Sequence, residues 1–257
     1  MRNLISSIAL ISTLGFSSNL FALQDTKELN LAASSLKSFF IDSGAGSLEV
    51  VGKPNLNQIQ VTADIYVEGL DEDDAQEWFE DNMKLTLQES RGRATLKATF
   101  KSNSSFFGWN KEKKIDLTVY MPENLELEVD DGSGWAKISD IKANVMVDDG
   151  SGSLDIANIQ GSLKVEDGSG SLSIENVDGD LWVDDGSGKL VIDQVTGKAD
   201  IDDGSGSLKI SNIGKNVYIV DGSGSIEACN IDNKLTIDDG SGSVKTCSDF
   251  KGELVLK

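Results

Sequence analysis

Pairs of acidic residues recur along the second half of the chain and are the first candidates for chemistry. The tetrapeptide Asp-Gly-Ser-Gly begins at Asp131 and returns every eighteen residues up to Asp239, and the position before it is acidic in every copy except at Val220. Carboxylates that stack from copy to copy would offer the oxygen ligands that calcium prefers. One hypothesis is therefore a set of calcium sites between neighbouring copies, formed by Asp148, Asp149, Glu166, Asp167, Asp184, Asp185, Asp202 and Asp203.

A second interpretation of these acids is a solvated edge that only repels aggregation. Stacking puts like charges roughly 5 Å apart, where each neighbouring pair costs about 1 kcal/mol in water, and backbone N–H groups of the Gly-Ser-Gly turn offset part of that cost. The half-repeat is similar to the calcium-binding roll, but leucine (Leu154, Leu172 or Leu208) stands where that motif has its ligand aspartate. The motif therefore differs from the known one, and both interpretations stay open.

Two aromatic residues occupy one repeat position and are candidates for ligand binding. Trp182 and Tyr218 are two copies apart and are flanked at the same repeat position by Lys164, one copy before Trp182, and by Asp200, in the copy between them. We expect this position to face outward, with the rings about 10 Å apart on a flat sheet where sugar rings can stack on them. Ordinary cross-strand packing is the alternative. Trp135 and the segment 106–109, which contains Phe106, Phe107 and Trp109, are rival sites.

The two cysteines are also one repeat apart. Cys229 and Cys247 would lie in adjacent stacked strands, about 4.8 Å from each other, within the Cα separation that a disulfide accepts. The spacing predicts a disulfide in an oxidising compartment, with two free outward thiols as the alternative.

The repeat itself indicates the elements that position these residues. Each copy reads as two turn-and-strand halves, because aliphatic residues two apart share one face of a strand. Identical residues at an eighteen-residue step predict an all-β, parallel β-solenoid with about thirty buried side chains, a core that needs no metal or cofactor. Antiparallel hairpins are the alternative. A corner of stacked amides (Asn158, Asn176, Asn212 and Asn230, interrupted by Gln194) favours the parallel arrangement.

The composition excludes several functions. The chain has 23 basic and 43 acidic residues and no histidine, for a net charge of −20. This charge disfavours nucleic acid and anionic membranes as partners, and the missing histidine excludes catalytic triads and metal sites that need it. An enzyme of the polysaccharide-active β-helix kind requires one distinctive cluster of acids and bases, whereas these acids repeat identically from copy to copy.

The first residues and the region after them read differently from the repeats. Residues 1–22 combine Arg2 with a short apolar run and are typical of a secretory signal, and no later stretch is long enough to cross a membrane. Residues 23–128 form an irregular β region that we expect to cap the solenoid, with a short helix over 71–82 and a degenerate copy of the repeat near 41–50. We expect residues 129–257 to form the regular solenoid. Each repeat makes one turn of it, which we call a rung, and the last rung is terminal. The protein is expected to be exported to the periplasm, the cell surface or the medium.

The order of these features resembles the DUF4097 family of adhesin-like bacterial envelope proteins. The shared features are the signal sequence, an early Gly-rich strand, the strand Val119-Tyr-Met-Pro122 and the Gly-Ser-Gly repeats, and they cover nearly all of the chain after the signal. The resemblance implies a right-handed parallel β-solenoid outside the cytoplasm and supplies no catalytic residues. It favours a non-enzymatic adhesion or scaffold module that binds a cell-surface or glycan ligand, with a calcium-stabilised acidic solenoid as the alternative.

Overall fold

A computed structural model describes residues 22–68, 78–101, 113–247 and 252–257, and these contain twenty β-strands. The strands are β1 Ala22–Ala32, β2 Ser38–Lys53, β3 Gln58–Glu68, β4 Met83–Ser90, β5 Arg93–Phe100, β6 Lys113–Pro122, β7 Glu126–Ile141, β8 Val145–Asp149, β9 Gly152–Ile159, β10 Leu163–Asp167, β11 Gly170–Val177, β12 Leu181–Asp185, β13 Gly188–Val195, β14 Ala199–Asp203, β15 Gly206–Ile213, β16 Val217–Asp221, β17 Gly224–Ile231, β18 Lys234–Asp239, β19 Gly242–Thr246 and β20 Glu253–Leu256.

The repeats form a parallel β-solenoid. Each eighteen-residue repeat contributes one short strand and one longer strand, and each strand pairs in parallel with the equivalent strand of the next repeat, as in Leu163↔Leu181 and Leu172↔Leu190. We call the surface formed by β8, β10, β12, β14, β16 and β18 the short-strand face, and that formed by β9, β11, β13, β15, β17 and β19 the long-strand face. The parallel stacking predicted from the eighteen-residue step is confirmed, and the hairpin alternative is wrong.

The irregular region before residue 129 continues both faces. Strand β2 stacks on β7 in the repeat register, with Gly46 beside Gly134, so the degenerate copy of the repeat forms a complete rung. On its other side β2 pairs in parallel with β5 and with β6, and antiparallel strands β4, β3 and β1 extend these edges. The first repeat therefore has no open edge toward the N-terminal side.

Aliphatic side chains from both faces fill the interior. Within a short strand such as β12, Leu181 and Val183 are buried while Trp182 between them points outward. The same alternation in neighbouring rungs stacks leucine on leucine and isoleucine on isoleucine. The side chains of the strands themselves therefore fill the core and bury its apolar surface.

An amide corner turns each longer strand. The residues at this corner have φ between 50° and 63°, and they are Asp140, Asn158, Asn176, Gln194, Asn212 and Asn230. Asparagine tolerates this left-handed conformation, and its side chain also bonds along the axis: the Asn176 amide donates to Asn158 Oδ1 at 2.8 Å and that of Asn230 to Asn212 Oδ1 at 3.1 Å. The predicted amide ladder is present, with its interruption at Gln194.

The structure describes only part of the predicted helix in the cap and only part of the last rung. Residues 78–82 are helical, and the rest of the predicted helix over 71–82 lies outside the described residues, as does Phe250 of the terminal rung. Strand β20 stacks on β18 and ends the solenoid. Beside it, Cys229 and Cys247 form a disulfide with their Cα atoms 5.0 Å apart.

Candidate functional site: two acidic columns and a groove beside Trp182

The two acids that precede each Gly-Ser-Gly turn face opposite sides of their strand. Asp149, the last residue of β8, is 2% exposed, whereas Asp148 before it is an exposed residue. The cause is the alternation of side chains along a strand: Val145, Val147 and Asp149 point inward together. The first acids form an exposed outer column (Asp130, Asp148, Glu166, Asp184, Asp202 and Asp238), and the second acids form an inner column (Asp131, Asp149, Asp167, Asp185, Asp203, Asp221 and Asp239).

This separation corrects the predicted geometry of the calcium sites. The carboxylates of Asp148, Asp149, Glu166 and Asp167 do not meet on one side of the sheet, and the same holds for Asp184, Asp185, Asp202 and Asp203. Across the described ranges, one group of three potential metal ligands lies within 4.8 Å, namely Glu227 with the disulfide-bonded Cys229 and Cys247. Calcium binding between neighbouring rungs stays a prediction.

The inner column is buried but only partly hydrogen-bonded. Six of its members, from Asp131 to Asp221, are at most 4% exposed. In three rungs the carboxylate accepts a bond from a backbone N–H two residues later, as from Ser187 to Asp185 Oδ1 at 3.1 Å. The equivalent N–H groups of Ser151 and Ser205 act on Asp149 and Asp203 more weakly, and each lowers the pKa of its carboxyl. At the first rung the Ser43 hydroxyl donates to Asp131 Oδ1 at 2.6 Å. Four buried carboxylate oxygens have no partner: Asp131 Oδ2, Asp149 Oδ1, Asp203 Oδ1 and Asp239 Oδ1.

Burial makes these carboxyls hard to ionise. It raises the pKa of Asp149, Asp167, Asp185 and Asp203 to about 6, and the charge of the preceding aspartate in the column adds to the increase. The pKa of Asp131 and of Asp221 is also raised, again mainly by burial. Two charges about 5 Å apart at an effective dielectric constant of about 20 repel each other by roughly 3 kcal/mol. A fully ionised inner column is therefore unfavourable up to about pH 6.

Trp182 and Tyr218 lie on the outside of the short-strand face, as predicted. Strand pairing puts Trp182 beside Asp200 and Asp200 beside Tyr218, so one rung separates the two rings. Lys164 Nζ lies 4.7 Å from the centroid of the Trp182 ring, and Lys257 Nζ lies 5.4 Å from that of Tyr218. Trp182 lines the groove described next, whereas Tyr218 is not one of the residues that line it.

A shallow groove of about 540 Å³ crosses the starts of the short strands. The Trp182 ring and Met146, which is 46% exposed, contribute apolar surface. Ion pairs border it: Arg93 Nη2 lies 2.9 Å from Glu128 Oε2, and Lys198 Nζ lies 3.1 Å from Asp200 Oδ2. Sequence reasoning missed Arg93, Met146 and Lys198 as groove residues. The eighteen-residue step from Met146 to Lys164 and Trp182 was a usable signal, whereas the position of Arg93 depends on the distant pairing of β2 with β5.

The rival aromatic positions lie elsewhere. Trp135 is 46% exposed and lies in β7 beside Ser153 of β9, where β7 continues the long-strand face away from the groove. The segment 106–109 lies outside the described residues.

Comparison with known proteins places this chain in a family. The family model called Toastrack DUF4097 matches residues 36–252, which span the solenoid and most of the strands before it. The chain belongs to the Toastrack DUF4097 family. No curated protein matches the sequence. In the described part of this Toastrack protein, no helix has both the length and the apolar character needed to cross a membrane.

Several solved structures are similar to this Toastrack chain at low identity. A putative adhesin from Bacteroides fragilis is 11% identical with a TM-score of 0.46, and the match covers 95% of this chain and 99% of that one. A putative lipid binding protein from Parabacteroides distasonis is 13% identical with a TM-score of 0.47, covering 91% and 96%. A putative adhesin from Parabacteroides merdae is 14% identical with a TM-score of 0.36, covering 90% and 93%.

Proposed function

We propose that the protein is an exported, non-enzymatic, adhesin-like binding module of the bacterial cell envelope, and that it binds a glycan in the groove beside Trp182. Membership of the Toastrack DUF4097 family and the signal-like residues 1–22 support the proposed export to the cell envelope. The groove is the observation that supports a glycan as the ligand, because an aromatic ring lies there among charged side chains on an open surface.

The lining of the groove matches the two sides of a sugar. A pyranose has apolar C–H faces, which pack on aromatic rings, and an equator of hydroxyls that donate and accept hydrogen bonds. Trp182 and Met146 supply the apolar contact, while Lys198 and Asp200 supply a donor and an acceptor on one side of it. Since the groove is shallow, an oligosaccharide can enter from the side and follow the rungs. Such a ligand reaches Tyr218, about 10 Å from Trp182 along the same column.

A binding role also fits the arrangement of the acids better than catalysis does. General acid–base chemistry needs two carboxyls in different environments at a single place. Here the two acids of one rung differ in burial but face opposite sides of their strand, so they do not converge on one bound ligand.

A glycan array tests the proposal with four proteins: the wild type, Trp182→Ala, Tyr218→Ala and Trp135→Ala. We expect Trp182→Ala to weaken binding by at least about tenfold, because a buried aromatic contact contributes on the order of 1.4 kcal/mol or more. Tyr218→Ala should weaken the binding of longer oligosaccharides only. Trp135→Ala is the matched control, since it removes an equally large exposed ring from the other face and should bind as the wild type does.

Two results would contradict the proposal. Binding that survives Trp182→Ala and disappears in Trp135→Ala would move the site to the long-strand face. Failure of the wild type to bind any glycan, together with binding to whole cells after their glycans are removed, would make the ligand a protein.

A further inference from the structure

The inner column is a cluster of buried titratable groups that the proposed binding site does not use. It runs the length of the repeats inside the solenoid, one carboxyl per rung, from Asp131 to Asp239. The apolar residues of the same strands face the interior with it, so little water reaches these groups. Buried carboxyls of this kind need a partner for each oxygen or a proton.

Protein donors satisfy only part of each carboxyl group. A backbone N–H of the Gly-Ser-Gly turn serves one oxygen of Asp167, Asp185 and Asp221, and the Ser43 hydroxyl serves one oxygen of Asp131. Asp149 and Asp203, which are 2% and 1% exposed, are acted on by the backbone N–H groups of Ser151 and Ser205, yet each keeps a buried oxygen without a partner at hydrogen-bond geometry. Asp131 keeps one as well.

The charged groups that act on the inner column are themselves acids. Asp149, Asp167, Asp185 and Asp203 are each affected by the preceding aspartate of the column, and at the far end Asp239 acts on Asp221. The outer column adds Asp130, Asp148, Asp184 and Asp202. No cation of the described chain contributes to the shifts of these six groups, so the column lacks a protein counter-charge.

We propose that the inner column is a proton-binding ladder, in which neighbouring carboxyls share protons along the solenoid axis. A hydronium ion of the solvent transfers a proton to a free carboxylate oxygen and leaves as water, and the O–H formed donates to a carboxylate oxygen of the adjacent rung. The column then carries fewer negative charges than it has carboxyls, and each shared proton supplies the missing donor. Ser43 is the neutral end of the ladder, because it stands in the column position of the rung before Asp131 and donates to it.

A proton fits this column better than a divalent cation does. Calcium takes six to eight oxygen ligands, whereas neighbouring rungs bring only two inner carboxyls together. Within the described residues no three carboxylates approach within 4.8 Å of one another. Two acceptor oxygens are enough for a shared proton, as in the carboxyl pairs of aspartic proteases.

The ladder makes stability depend on pH in a defined direction. The folded pKa of four members lies near 6, above the ordinary value of 3.8 that they regain on unfolding. Protonation therefore favours the folded state: the stabilisation is complete below pH 3.8 and is lost as the pH rises through about 6. Between these limits each coupled proton changes the unfolding equilibrium constant about tenfold per pH unit.

Infrared spectroscopy of the folded wild-type protein tests the ladder directly. The carbonyl stretch of a protonated carboxyl is separate from the carboxylate bands, and ordinary surface acids have lost it by about pH 5.5. We expect the band to persist at this pH and to disappear between about pH 6 and 7. Its absence from the wild type at pH 5.5 would overturn the proposal without any variant.

Matched variants assign the band to the inner column. The triple variant Asp149→Asn, Asp185→Asn, Asp203→Asn should lose the band, because each amide donates to a remaining carboxylate and replaces the shared proton. In urea unfolding between about pH 4 and 6, it should also lose the roughly tenfold change per pH unit that each of the three replaced carboxyls contributes. The outer triple variant Asp148→Asn, Asp184→Asn, Asp202→Asn removes the same charge and should keep both. Should the inner triple variant not fold, the single variant Asp185→Asn should weaken the band by itself.

Two further outcomes would overturn the ladder. Equal loss of pH dependence in both triple variants would mean that net charge alone is responsible. Stabilisation of the wild type by calcium chloride beyond that by sodium chloride at matched ionic strength, abolished in the inner variant, would assign the column to a cation.

Discussion

Neighbouring aspartates in this protein have different roles because a strand alternates its two sides. Asp184 is solvated, while Asp185 is 1% exposed and closes the interior beside the turn. At the turn a short side chain with two acceptor oxygens can bind the backbone N–H of Ser187, which leucine or valine cannot do. The buried acid therefore stabilises the turn, at the expense of a carboxyl that is costly to ionise.

At the residue scale, Gln194 is a weak point of the amide corner. It adopts a φ of 59°, which asparagine tolerates better than glutamine, and the ladder of amide bonds stops there: Asn212 donates to Asp193 Oδ1 at 2.7 Å instead. We expect Gln194→Asn to raise the free energy of unfolding by about 0.5–1 kcal/mol, measured by urea denaturation. The reverse change Asn212→Gln, at an equivalent corner, should lower it by a similar amount. A destabilised Gln194→Asn protein would contradict this account of the corner.

At the scale of the strand and its turn, the second glycine of Gly-Ser-Gly permits close stacking of the rungs. Gly152 has a φ of 137°, and a Cβ there would overlap the carbonyl oxygen of Gly134 in the preceding rung. We expect Gly152→Ala to lower the free energy of unfolding by at least about 2 kcal/mol, since strained φ and backbone overlap act together. Gly44→Ala is the control, because its Cβ would be 3.7 Å from the nearest atom, the Ala98 oxygen. Equal effects in urea unfolding would show that backbone overlap is not what requires glycine at this position.

The sequence predicted the elements of the repeat well and their side-chain directions less completely. The eighteen-residue step was enough to predict parallel stacking, since Leu172 and Leu190 can share a column only in that register. The inward direction of Asp149 was also predictable, because Asp149 follows the buried Val147 by two residues. The prediction of calcium sites placed both acids in the turn instead and so gave them one direction. The groove could not be predicted in full: Arg93 reaches it only through the pairing of β2 with β5, which no local pattern encodes.

At the scale of the whole molecule, the rung is the unit that can be removed. Deletion of residues 204–221 joins Asp203 to Gly222 and should leave a solenoid that is one rung shorter, because each rung contacts only its two neighbours. Deletion of residues 213–221 removes half a repeat and should prevent folding. The two halves of a repeat differ, because one is a five-residue strand and the other an eight-residue strand with a corner, as in β14 and β15. The deletion would therefore stack unlike strands on each other in the rungs that follow. Circular dichroism and urea unfolding distinguish the two proteins. Cooperative unfolding of both would contradict the eighteen-residue rung as the structural unit.

At the same scale, the groove beside Trp182 lies open on the short-strand face. The proposed function requires a glycan to bind at Trp182. The most direct measurement is fluorine NMR of the protein labelled with fluorotryptophan, whose four tryptophans give separate signals that single Trp→Phe variants assign. On titration with glycans from the array, the account predicts a saturable shift of the Trp182 signal and an unchanged Trp135 signal. A shift of the Trp135 signal alone, or no shift of the Trp182 signal with a glycan that binds, would contradict it.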